Sequence, residues 1–117
     1  MSEPKKRPRV YAPQQPSRYD TATRLWVPTI NLRAAESWGE VVVVLPPNAN
    51  RLHTAPLVAA LKERMSSYGE HDYIVAVGDP SLIAAAACIA ARATGGVVRM
   101  LKWERMSAQY IPVEIVI

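Results

Sequence analysis

The fold turns on one stretch, DYIVAVGDPSLIAAAACIAARATGGVVRMLKW, residues 72 to 103. Its opening, "DYIVAVG", is apolar without alternation, which suits a strand buried on both faces. Asp79 is a good helix N-cap, and Pro80 fits the first helical position with its preset φ. No charged residue interrupts Leu82 to Ala91, and Thr-Gly-Gly at 94 to 96 offers a left-handed cap. "VVRMLKW" reads as a second strand. The spacing therefore predicts strand, helix, strand, joined by a right-handed parallel crossover.

The turn at Gly78 also poses a chemical question, because helix N-termini after parallel strands are common phosphate sites. A dinucleotide fingerprint needs three glycines as G-x-G-x-x-G, and here there is only Gly78. The phosphate loop G-x-x-x-x-G-K-[ST] is absent from the chain. Asp79 would place a carboxylate where a phosphate should lie. The stretch reads as a capped core helix. Being apolar nearly all round, it needs a cover, and the segment with Trp26 and Trp38 or a second copy of the chain is expected to supply it. The single cysteine, Cys88, reads as a small core residue with no disulfide partner in the chain.

Upstream, "EVVVVLPP" at 40 to 47 reads as another buried strand. Thr54 and Pro56 open an amphipathic helix with Leu57, Val58, Leu61 and Met65 on one face. Downstream, "YIPVEIVI" follows a short turn, so it must run antiparallel, and Pro112 marks it as an edge. The expectation is an α/β fold: a small mixed sheet of three mostly parallel strands, at 41–45, 73–77 and 97–103, plus an antiparallel C-terminal strand at 110–117. Two helices complete a Rossmann-like βαβαββ order, with an extended N-terminal arm.

The chain has 117 residues and a net charge of +4, of which residues 1 to 9 carry +3 through Lys5, Lys6, Arg7 and Arg9 against Glu3. Residues 1–9 read as a disordered basic tail, 10–38 as an extended arm on the domain, and 39–117 as a single α/β domain. No apolar run reaches the roughly 20 residues of a membrane span, and the basic start lacks the apolar core of a signal peptide. A cytoplasmic protein is expected.

Candidate sites follow from residue type. Trp103, Arg105, Tyr110 and Val113 lie on or beside the exposed terminal hairpin and are expected to bind a protein partner or a second copy. Lys5, Lys6, Arg7 and Arg9 form the nucleic-acid alternative, with aromatic residues at Tyr11, Trp103 and Tyr110 available to stack on bases. A small-ligand alternative places Asn48, His53, Asp79 and Ser81 at the strand ends, with His53 and Asp79 as a possible base and partner. Two histidines without metal-ligand spacing give no metal site, and no nucleophile elbow, carboxylate pair or triad is visible. Neither a cofactor nor an enzymatic activity is expected.

Three segments, "VVVVLPPNANRLHTAPLVAALKERM", the 72 to 103 stretch and "YIPVEI", resemble a family of small proteins of tailed bacteriophages and prophages. The similarity spans roughly residues 40 to 115, with the Gly-Asp-Pro turn and "MLKW" as its most distinctive parts. It implies a protein acting inside an infected bacterium on a host or phage machine, by binding, and it transfers no catalytic residues.

Overall fold

The computed structural model describes residues 7–47, 49 and 52–117. Seven strands and two α-helices follow one another as β1 (Arg9–Gln14), β2 (Ser17–Asp20), β3 (Leu25–Pro28), a 3-10 helix (Arg33–Ser37), β4 (Glu40–Leu45), α1 (Thr54–Arg64), β5 (Tyr73–Val75), α2 (Pro80–Thr94), β6 (Val97–Glu104) and β7 (Gln109–Val116). Five strands form one sheet in the order β4-β1-β5-β6-β7, and β2 and β3 form a separate hairpin.

The four strands read from the sequence are present as β4 to β7. β5 and β6 pair in parallel, and β6 and β7 pair antiparallel with Val97 opposite Val116 through Glu104 opposite Gln109. The predicted arm contributes a fifth strand. β1 is parallel to both β4 and β5 and stands between them, so those two are not neighbours. The βαβαββ run is thus preceded by three more strands, and the parallel part of the sheet has four members.

Alternation along each strand sorts the core into two layers. Tyr11, Val44, Ile74 and Val98 face the helices and meet Leu61, Met65, Leu82, Ala86 and Ala90. Val10, Ala12, Tyr73, Val75 and Leu101 face the other way, where Leu32 and Ala35 cover them. From β1 the chain crosses to β4 along this second face. α1 and α2 carry it in the opposite direction along the first face, so the crossovers share one hand. Adjacent strands whose connections leave to opposite faces define a topological switch point, here between β1 and β5.

β4 is not the buried strand expected: it is an edge of the sheet, with only Val44 and Leu45 buried and Val43 39% exposed. The other local readings mostly hold, with three further corrections. Asp79 caps α2, accepting from the Ser81 N–H at 2.9 Å, and Gly95 ends it with φ 72°. α1 begins one residue earlier than predicted, with His53 at the N-cap position and Thr54 inside the helix. The covered face of α2 is the second correction: Trp38 packs edge-on against Tyr73, ring centres 5.6 Å apart, across the sheet from α2. Trp26 lies on the hairpin against Tyr19. Third, Cys88 is exposed, because the buried stripe of α2 is Leu82, Ala86 and Ala90, and Cys88 points away from it. Among the described residues no helix is long and apolar enough to cross a membrane.

Candidate functional site

Beyond Tyr11 and Ile74 the ladder between β1 and β5 ends. Pro13, which has no N–H for a ladder, lies past that point and outside the register with β4. Past the end of this ladder lies a cleft of about 640 Å³, within the range of small-molecule sites. Its lining comes from the carboxyl ends of four parallel strands: Gln14 at the end of β1, Pro47 after β4, Ala76 to Gly78 after β5, and Trp103 near the end of β6. Tyr110, opposite Trp103 in the register, and the base of the β2–β3 hairpin close the sides.

The hairpin is tied down by its own hydrogen bonds. The Thr29 N–H donates to Pro16 O at 2.8 Å, and Gln15 Nε2 donates to Ile30 O at 3.2 Å. Asn31 Oδ1 accepts from the Arg33 N–H at 2.8 Å, which leaves its amide nitrogen for other partners. Gln14 is the buried polar residue of the described core, 4% exposed, and its Nε2 donates to Pro46 O at 2.9 Å. That bond uses one of the four hydrogen-bonding positions of the amide. Gly78 has φ +101°, and a Cβ there would come within 3.1 Å of Gln14 O, so this turn needs glycine to bring β5 close to the end of β1.

The aromatic wall is a cross-strand pair. Trp103 and Tyr110 pack edge to face with ring centres 5.0 Å apart. Trp103 remains 46% exposed, whereas Tyr110 is 5% exposed and its hydroxyl has no hydrogen-bond partner among the described residues. Burial pushes the Tyr110 phenol above its ordinary pKa. Behind the pair, Glu104 holds the β6–β7 turn by accepting from the hydroxyl and N–H of Ser107 and from the N–H of Met106. Those donors, the Ser107 hydroxyl foremost, hold its carboxyl below the usual range.

The structure sorts the residues singled out by sequence. Trp103 and Tyr110 come together as one wall of the cleft. Arg105 is exposed in the adjoining turn, and Val113 is half-buried on edge strand β7. Asp79 and Ser81 are joined at the start of α2, where the carboxylate accepts from both the N–H and the hydroxyl of Ser81. His53 is exposed before α1. Lys5, Lys6 and Asn48 lie outside the described residues.

Arg7 and Arg9 sit at the amino end of the sheet. Arg7 donates to Glu36 O at 2.8 Å, and Arg9 donates to Ser67 Oγ at 3.2 Å. Glu40, Glu70 and Asp72 line the same hollow. Because β1 and β6 run parallel, Arg105 lies at the far end, about 20 Å away at some 3.3 Å per residue. These cations do not make one face.

Sequence reading missed the amide lining, Gln14, Gln15 and Asn31. The available signal was the pair of glutamines that follows Pro13 at the end of the apolar run Val10 to Ala12, since a polar residue closing a buried strand falls at the ligand end of a parallel sheet. No group of three or more potential metal-ligating side chains lies together among the described residues.

No curated protein and no solved structure matches the chain. A family model does match, over residues 8–117, from one residue before β1 to the last residue of the chain. The match therefore takes in β1, the hairpin and every wall of the cleft, as well as the segments in which the phage resemblance was first legible: the chain belongs to the Phage Pam3 gp32-like protein family.

Proposed function

We propose that this phage accessory protein works by binding rather than catalysis, in the cytoplasm of the infected bacterium, and that its binding site is the cleft at the carboxyl end of the sheet. The observation that carries this reading is the coincidence of the cleft with the β1/β5 switch point, where open α/β sheets receive ligands. The lining supports recognition over chemistry. Amides, hydroxyls, prolines and aromatic rings orient a ligand, and among the described lining residues none titrates near neutral pH. Backbone NMR with a mixed set of small neutral and phosphorylated compounds tests it. Shifts concentrated at Gln14 to Ser17, Thr29 to Asn31 and Ala76 to Gly78 are expected. Shifts confined to β7, or none with any compound, would overturn the reading.

A second reading rests on the free edge of β7. The Ile117 N–H bond to Gly96 O sets the phase of the ladder, so Tyr110, Pro112, Glu114 and Val116 turn their backbone groups outward. Pro112 has no N–H on that row, and Val116 is 69% exposed. A protein partner or second copy pairing along this edge would use Val113 and its neighbours. Sedimentation over a range of concentrations tests self-pairing, and Val116→Lys should abolish any dimer it forms.

A further inference from the structure

We infer that the ligand of the cleft is an uncharged, planar heterocycle with adjacent hydrogen-bond donor and acceptor atoms, the chemistry of an adenine base, without a phosphate. This inference rests on the binding reading above. Three features of the lining lead to it.

First, three of the polar lining residues carry amides. Gln14, Gln15 and Asn31 line the cleft, each with one amide atom bonded within the protein and others left over, and a carboxamide matches a neighbouring donor and acceptor on a heterocycle edge, as Asn and Gln do with adenine. Second, the indole of Trp103 stands at the wall with 46% of the residue exposed and is braced edge-on by Tyr110, which leaves an aromatic surface for stacking. Third, the described lining offers phosphate no cation. No lysine or arginine is among the described lining residues, and the nearby start of α2 is already capped by the Asp79 carboxylate. A phosphate would meet a negative group at the helix end that usually receives it. The volume of about 640 Å³ admits a nucleoside.

Calorimetric titration of the full chain with adenosine, AMP and ATP, at low and high salt, tests the inference. Adenosine should bind, its affinity should not change with salt, and the phosphorylated forms should bind no more tightly. Trp103→Ala should weaken adenosine about 5- to 150-fold, the range that corresponds to base stacking lost to alanine. Asn31→Ala, at an exposed position, is the second variant and should weaken it about fivefold or more. Single-stranded oligo(dA) should not compete, and competition by it would place the base in a phosphodiester strand and overturn the phosphate-free ligand. Tighter, salt-dependent binding of ATP would overturn the neutral class. N-acetyltyrosinamide separates the two levels of the argument by NMR. Cleft shifts with it but not with adenosine would refute the heterocycle and leave the binding site standing; shifts with neither would remove both.

Discussion

Replacing Tyr110 by phenylalanine should make the protein more stable. The ring of Tyr110 is 5% exposed and packs on Trp103, and its hydroxyl has no partner among the described residues. A polar group taken from water and left unpaired costs about 1–3 kcal/mol. Tyr110→Phe removes the oxygen and keeps the ring, its buried area and its contact with Trp103. A gain of about 1–2 kcal/mol is expected, near the lower part of that range. For a domain of this size each kcal/mol moves Tm by about 4 °C. Urea unfolding followed by far-UV circular dichroism is the assay, and the midpoint should rise with the slope unchanged. Tyr110→Leu, which discards the aromatic contact, should not reproduce the gain. If the phenylalanine variant is no more stable than the parent, the hydroxyl is satisfied in the free protein and the reasoning about this wall fails.

Leu61 is fully buried between α1 and the sheet, so Leu61→Ala should lose about 2–5 kcal/mol in the same urea assay. Asp79→Ala removes the cap of α2 and should cost about 1 kcal/mol, measured likewise. Burial pushes the Tyr68 phenol up to about 12 from an unfolded value near 10. A raised acid pKa means stability that is complete below pH 10 and is lost as pH rises toward 12. Tyr68→Phe should lose less stability than the parent in unfolding curves measured across that window.

The second half of the fold was legible because its signals are local. The apolar runs at Tyr73 and Val97, the Asp79 and Pro80 start, and the glycines after Thr94 each act within a few residues. β1 was not, since RVYAPQ has a proline inside it, charged and polar ends, and no period to show. It becomes a strand by pairing with β4 and β5, partners some 30 and 60 residues away in the chain. Cys88 misled for a related reason: composition shows that α2 is apolar all round, but only packing shows which stripe the sheet buries. The cleft was half visible. Trp103 and Tyr110 stood out by type, whereas Gln14, Gln15 and Asn31 are ordinary loop residues until the topology brings them to the same end of the sheet.

A crystal of the full chain soaked with adenosine tests the central claim most directly. The base should lie in the cleft between β1 and β5, against the Trp103 indole, with its edge toward the amides of Gln14, Gln15 or Asn31. An empty cleft, or adenosine bound elsewhere on the surface, would contradict the account.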